Sequence, residues 1–101
     1  MCDSNSNFGL SRAVLDSIIE TAYTHGVSKL ILYGSRARGD YKERSDIDLA
    51  VYGGDADGFA LDIGENVPTL LRFDVVDMCK PVQAELVNSI ANEGVVIYEK
   101  V

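Results

Sequence analysis

The spacing of apolar residues changes along the chain, and near the beginning it predicts a helix. Between Ser11 and about Thr24, apolar residues recur every three or four positions, as on one face of a helix. They are Val14, Leu15, Ile18, Ile19 and Ala22. Ser11 suits the N-cap and Gly26 suits the end, so we interpret this stripe as the side that packs on the core.

Four short apolar segments predict strands, at residues 30–33, 46–52, 73–78 and 95–98. In the second of these, two carboxylates, Asp46 and Asp48, alternate with apolar residues. Side chains two positions apart lie on the same face of a strand. We therefore expect both carboxylates to project from the same side of the sheet.

The remaining segments predict helices, and the helical pattern is clearer in some of them than in others. A helix is expected from Pro81 to Gly94, and its apolar positions are Val82, Leu86, Val87 and Ile90. Segment 56–67 is ambiguous because Gly58 and Gly64 interrupt any helical pattern, so we interpret it as a weak helix or a structured loop. One helical turn can also follow Ser35.

Helices and strands interleave along the chain, which predicts an α/β or α+β fold with a small mixed sheet flanked by helices. The length of 101 residues suits one domain. We assign this domain to residues 9–101 and interpret residues 1–8, which are small and polar, as a flexible tail.

The formal net charge of −7 argues against a general nucleic-acid-binding protein, because the phosphate backbone would be repelled. A nucleotide substrate remains compatible, since metal ions can mask both carboxylates and phosphates. Four basic residues cluster in one segment, which is either a solvated loop or a phosphate-attracting patch: Arg36, Arg38, Lys42 and Arg44. No apolar run is long enough to span a membrane and no leader sequence is evident, so we expect a cytoplasmic protein without a membrane partner.

Candidate chemistry lies where the predicted strands carry acidic residues. Gly34 and Ser35 end the first strand, Asp46 and Asp48 begin the second, and the third contains another acidic pair. Carboxylate oxygens suit Mg²⁺, and two such ions roughly 3.5–4 Å apart can hold the attacking and leaving oxygens of a phosphoryl displacement. A glycine lets backbone approach a phosphate, and the serine adds a hydroxyl. Each motif alone is weak, but their ordered combination is specific.

The third strand offers two carboxylates, Asp74 and Asp77, of which only one can face the others. Residues three apart on a regular strand point in opposite directions. If Phe73 packs on the apolar side, Asp74 shares a face with the first two carboxylates. We predict that Asp74 is the third catalytic residue, whereas Asp77 reaches solvent or caps the helix after Pro81. A β-bulge would reverse this assignment.

The segments from Gly34 to Gly39 and from Ser45 to Leu49 resemble the signature of the DNA polymerase β-like nucleotidyltransferase superfamily. The short chain is most similar to its minimal prokaryotic branch, the MNT or MntA-type proteins. The resemblance implies a polymerase β-like fold, Mg²⁺ dependence (two ions) and ATP as the donor. It places the metal at Asp46, Asp48 and Asp74 and the nucleotide at Gly34, Ser35, Arg36 and Arg38. For the two arginines, exposed charge without a ligand is an equally good interpretation.

The resemblance also implies a partner. Minimal-branch proteins often pair with a small helical HEPN protein, and some are antitoxins that adenylylate a tyrosine of that toxin. We therefore expect AMP transfer to a hydroxyl of such a partner. Two alternatives remain: a non-catalytic antitoxin that acts by contact, and a nucleotide-sensing subunit that binds ATP without transfer. The complete set of glycine, serine and carboxylates favours transfer, because contact alone does not need it.

Overall fold

The elements alternate as expected in a computed structural model that describes residues 8–100. In chain order they are α1 (Arg12–Thr24), β1 (Lys29–Tyr33), α2 (Ser35–Arg38), β2 (Ile47–Tyr52), α3 (Ala56–Asn66), β3 (Phe73–Asp77), α4 (Ala84–Glu93) and β4 (Val95–Glu99). The strands form one sheet in the order β3-β2-β1-β4. β2 and β3 are parallel, whereas β1 is antiparallel to both β2 and β4. The predicted mixed sheet flanked by helices is confirmed.

The two faces of the sheet differ in how much apolar surface they bury. One face packs against α1 and α3 and forms the main core, whose fully buried residues include Ile18, Leu32, Leu49, Phe59 and Ile63. The other face holds a smaller cluster in which Ile31, Tyr33 and Ala50 meet Ile90 of α4. Because α4 covers only part of this second face, polar residues there remain within reach of solvent.

Helix α1 begins and ends as the sequence predicts. The side chain of Ser11 accepts a hydrogen bond from the Val14 amide at 3.1 Å, which satisfies one of the free amides of the first turn. After Thr24 the chain turns through Gly26, whose φ of +72° is a left-handed conformation that favours glycine.

The ambiguous segment is a regular helix, α3. The Asp55 side chain caps it by accepting a hydrogen bond from the Gly58 amide at 3.1 Å. A Cβ at Gly58 would overlap the Asp55 carboxylate, so this glycine makes room for the cap. Burial of Phe59 and Ile63 then offsets the low helix propensity of the glycines.

Two predicted boundaries are wrong. Helix α4 begins at Ala84, because Gln83 at the N-cap is still extended with φ −60° and ψ 142°; Pro81 lies before the helix and does not start it. The predicted tail included Phe8, which instead packs against the main core. Residues 1–7 lie outside the described residues. Within residues 8–100, no helix has the length and apolar character needed to cross a membrane.

Candidate active site

Three carboxylates lie together at the beginning of the parallel strand pair. Asp48 of β2 and Asp74 of β3 are register partners, and Asp46 directly precedes β2. Side chains of register partners in parallel strands point to the same face. Phe73 and Val75 pack against the main core, so Asp74 projects from the opposite face, with Asp48. The predicted orientation of Asp74 is confirmed.

Asp77 belongs to the other face, as the alternation predicts. It pairs with Val51, a main-core residue, and its Oδ1 accepts a hydrogen bond from the Cys79 amide at 3.0 Å. Its Oδ2 lies 4.0 Å from Lys80 Nζ. Asp77 therefore stabilises the turn after β3, and it does not cap the following helix.

The environment of Asp48 disfavours its charged form. Burial raises the pKa of this carboxyl to about 6, and the negative charges of Asp74 and Asp46 add to the shift, whereas the positive charge of Arg38 opposes it. Asp46 and Asp74 are themselves exposed. The site therefore concentrates negative charge around one partly buried carboxylate, an arrangement that a bound cation would stabilise.

Gly34 brings the end of β1 against this carboxylate. A Cβ on Gly34 would overlap Oδ2 of Asp48, and the backbone there has φ +79° and ψ −158°, a region that essentially only glycine occupies. Ser35 then begins the single turn of α2 and is half-buried. The first amides of a helix have no acceptor within the helix. This turn thus has free amides and a serine directly after Gly34, the residue that lies against Asp48.

The structure corrects the predicted contact of Arg36 with a nucleotide phosphate, because this side chain does not face the carboxylates. The residue is 1% exposed, and its guanidinium donates hydrogen bonds to the carbonyl oxygens of Phe8, Glu43 and Ser45 at 2.9–3.3 Å. All three guanidinium nitrogens are used in these bonds, and Tyr41 lies over the group at 5.0 Å. Arg36 therefore ties the loop before β2 to the segment before α1.

Arg38, by contrast, lies on the exposed side of the same turn. Its Nη1 donates to Glu93 Oε2 at 2.6 Å and its Nε donates to Asp40 Oδ2 at 3.1 Å. These two hydrogen bonds raise the pKa of the guanidinium further. Because Arg38 also lowers the pKa of Asp48, it is the one of the two predicted arginines that acts on the carboxylate site.

Two residues of the site were missed by sequence reasoning. Tyr33, the last residue of β1, pairs with Asp48 and is only 7% exposed. Burial raises the pKa of its phenol to about 12, with further contributions from Asp74 and Asp48, so the hydroxyl keeps its proton beside the carboxylates. Glu93 comes from the end of α4 and holds Arg38. Tyr33 could have been found from its position directly before the Gly-Ser pair, whereas no local sequence pattern indicates Glu93.

Comparison with known proteins identifies the family of this chain. The family model "Polymerase beta, Nucleotidyltransferase" matches residues 16–101. The chain belongs to this nucleotidyltransferase family. It is 33% identical over 89 residues to a candidate protein adenylyltransferase of Methanocaldococcus jannaschii, a match that covers 79% of this chain and 87% of that protein. The predicted enzyme class, a nucleotidyltransferase, is confirmed.

Solved structures show that this nucleotidyltransferase shares its fold with toxin–antitoxin components. A chain in the crystal structure of a toxin–antitoxin with AMP-PNP superposes with a TM-score of 0.70 and 20% identity, over 85% of this chain and 73% of that one. A chain of a mutant MntA–HpeT toxin–antitoxin superposes with a TM-score of 0.68 and 18% identity, with the same coverage. The predicted polymerase β-like fold is confirmed.

The carboxylates of this nucleotidyltransferase suit a metal that the substrate helps to bind. Among residues 8–100, no three His, Cys, Asp or Glu side chains are arranged as a ready-made metal site. Mg²⁺, however, is commonly held by one or two carboxylates together with substrate phosphates and water. Asp46, Asp48 and Asp74 carry carboxylate oxygens of the kind that this ion prefers. Burial raises the pKa of Asp48, and the charges of Asp74 and Asp46, which a cation would offset, add to the shift. The donor set therefore fits Mg²⁺.

Proposed function

We propose that this protein is a Mg²⁺-dependent adenylyltransferase that transfers AMP from ATP to a hydroxyl group of a partner protein. The observation that carries the proposal is the register pairing of Asp48 with Asp74, beside Asp46 and against the backbone of Gly34. These groups supply what nucleotidyl transfer needs, namely anionic ligands for the metal and close backbone approach for the phosphates. Mg²⁺, held by the three carboxylates, would offset negative charge on the α-phosphate and on the leaving pyrophosphate.

The chain's own residues then have distinct roles. Gly34 and the Ser35 hydroxyl receive the phosphates at the turn after β1, where the first helical amides have no acceptor within the helix. Asp74 accepts the proton of the acceptor hydroxyl. The acceptor oxygen forms a bond to the α-phosphorus as the bond between that phosphorus and the bridging oxygen of the β-phosphate breaks. AMP is left on the acceptor, and pyrophosphate departs with the electron pair.

We further propose that the acceptor is a tyrosine of a helical HEPN-type protein and that the pair is a toxin–antitoxin system. Two observations support this narrower proposal. The curated relative at 33% identity is a candidate protein adenylyltransferase, and the structural relatives are components of toxin–antitoxin complexes, one of them with AMP-PNP. The alternatives are a non-catalytic antitoxin and a nucleotide-sensing subunit, for which the carboxylate set would have no catalytic purpose.

A labelling experiment separates the three functions. The purified protein is incubated with ATP labelled at the α-phosphate, Mg²⁺ and the product of the neighbouring gene, and an Asp48→Asn variant is the matched control. Label on a tyrosine of the partner, absent with the variant, supports adenylylation. A stable complex with no label indicates inhibition by contact, and bound ATP without complex or label indicates nucleotide sensing.

A further inference from the structure

A groove opens between the segment before β2 and the segment before β3. It has a volume of about 520 Å³, and its lining residues are Glu43, Arg44, Thr69, Leu70, Leu71 and Arg72. The segments that line it lead directly into β2 and β3. Arg72 precedes Asp74 by two residues, a distance of roughly 6–7 Å along a strand. The lining of the groove thus comes within two residues of the candidate catalytic base along the chain.

The order of the strands places the groove and the Gly-Ser turn on opposite flanks of the β2 carboxylates. The turn follows β1, and the groove lies where β3 begins, with β2 between them. An in-line displacement needs the attacking and leaving oxygens on opposite sides of the phosphorus. If pyrophosphate leaves on the Gly34 side, the acceptor enters from the β3 side, which is where the groove lies.

The lining of the groove combines two arginines and one glutamate, Glu43, with apolar residues. Arg44 and Arg72 are exposed, and within residues 8–100 neither makes a side-chain hydrogen bond or an ion pair. Leu71 packs against the main core, and Arg72 is exposed directly before β3. Leu70 is fully exposed at the rim. The groove therefore offers two free guanidinium groups beside an exposed leucine.

We infer that this groove docks the acceptor as an extended peptide segment whose acidic residues flank the hydroxyl that is modified. Guanidinium groups bind carboxylates through paired, charge-assisted hydrogen bonds, and the exposed leucine provides an apolar contact for the same segment. The chain as a whole carries a charge of −7, which disfavours an acidic ligand at long range. At physiological salt the field of charges beyond about 8 Å is screened, and the proposed Mg²⁺ would offset the nearer site carboxylates, so contact with the arginines decides the selection. The inference rests on the proposed adenylylation of a protein hydroxyl.

Synthetic peptides test the docking directly. Two fluorescein-labelled nine-residue peptides share a central tyrosine and one leucine, and their flanking residues are glutamate in one and glutamine in the other. Fluorescence anisotropy measures their affinity for the intact protein in Mg²⁺ and a non-hydrolysable ATP analogue. We expect the glutamate peptide to bind about tenfold more tightly or better, as the loss of one charge-assisted hydrogen bond would predict.

A pair of double variants shows whether the preference belongs to the groove. The double variant with Arg44→Gln and Arg72→Gln should abolish the preference for the glutamate peptide. The control variant with Arg12→Gln and Lys100→Gln removes the same amount of charge elsewhere and should preserve that preference. Equal affinities for the two peptides, no binding of either, or an equal loss in both double variants would overturn the inference. So would a groove variant that keeps the preference but loses affinity for MgATP, since the arginines would then bind the donor phosphates.

Label transfer from ATP to the same peptides distinguishes this inference from the proposed function. A glutamate preference in binding without any transfer to peptide or protein would refute adenylylation while the docking surface stands. Transfer that occurs equally to both peptides would refute the docking surface while adenylylation stands.

Discussion

The backbone of Gly34 lies against the carboxylate of Asp48 with no space for a side chain between them. The two residues come from neighbouring strands: Tyr33 pairs with Asp48, and Gly34 is the next residue along. The contact fixes the end of β1 beside the carboxylate that carries the raised pKa. The glycine is thus required for its missing side chain as well as for its backbone conformation.

Gly34→Ala should therefore be damaging in two ways. The new methyl group overlaps Asp48, and the backbone conformation is strained for any residue with a Cβ, so we expect a loss of about 2–4 kcal/mol in unfolding free energy and loss of transfer. Gly39→Ala is the matched control, because Gly39 has φ +93° but open space around its Cβ position. It should lose about 1–2 kcal/mol from strain alone. Equal losses in the two variants would contradict the contact with Asp48.

Asp46→Asn and Asp48→Asn should each reduce transfer by roughly 10³-fold or more, which corresponds to several kcal/mol of lost charge stabilisation. Both variants should fold, because neither residue contributes to the main core. Single-turnover rates with labelled ATP provide the measurement, and circular dichroism checks the fold. Near-normal rates in either variant would remove that residue from the metal site.

The pH dependence of stability follows from the pKa of Asp48. That pKa is about 6 in the folded protein against 3.8 as the ordinary value, so the folded state holds the proton more tightly. Its contribution to stability is fully present below about pH 4 and is lost as pH rises through about 6. Between pH 4 and 7, the unfolding free energy of the metal-free wild type should fall by roughly 2 kcal/mol relative to that of Asp48→Asn. This fall is smaller than the full pKa shift would give, because the site is partly open to solvent.

Urea unfolding of both proteins across this pH range measures the difference. Saturating Mg²⁺ should reduce the loss in the wild type at pH 7 and leave Asp48→Asn unaffected, because the cation offsets the repulsion among the carboxylates. A difference between the two proteins that does not change with pH would show that Asp48 titrates normally.

Asp74→Asn and Asp77→Asn are a matched pair on one strand. Asp74→Asn should lower the transfer rate much more than the affinity for ATP, because we assign Asp74 to the proton of the acceptor. Asp77→Asn should leave transfer largely intact, since Asp77 faces the opposite side and holds the Cys79 amide. Transfer rates and ATP affinities of both variants provide the test. The reverse pattern would mean that the acceptor approaches from the other face.

Arg36→Ala and Arg38→Ala separate a structural arginine from one at the site. Removing the buried guanidinium of Arg36 leaves three carbonyl oxygens without their donor, so we expect a loss of about 3 kcal/mol or more in unfolding free energy. Arg38→Ala should unfold like the wild type but should raise the pKa of Asp48. Chemical denaturation and carboxyl titration by NMR measure these effects. An Arg36→Ala protein of wild-type stability would contradict the structural role.

The sequence was most informative where a local rule decides the outcome. Alternation along a strand was sufficient to place Asp74 with Asp48, and Ser11 marked the start of α1 because a helix needs a cap there. In segment 56–67 the glycines obscured the helix. The signal that could have resolved it was Asp55, a capping residue directly before the segment.

Long-range contacts could not be read from the sequence. Arg36 belongs to a motif that points to phosphate, yet its side chain is directed inward because the Phe8 carbonyl, 28 residues earlier, accepts its hydrogen bond. Likewise Glu93 reaches Arg38 across 55 residues. Such pairs depend on how elements pack together, whereas the local sequence determines only which elements form.

The position of β1 in the sheet has a consequence for the order of folding. The strand that ends at Gly34 lies between β2 and β4, and Lys29 pairs with Glu99, 70 residues later. Pairing between such distant segments requires closure of a long loop before any contact is gained, which slows folding. During synthesis β1 and β2 can pair first and bring Gly34 against Asp48, and β3 then adds Asp74, whereas the second edge of β1 stays open until β4 has emerged. The carboxylates and the glycine should accordingly come together before β4 closes the other edge of β1.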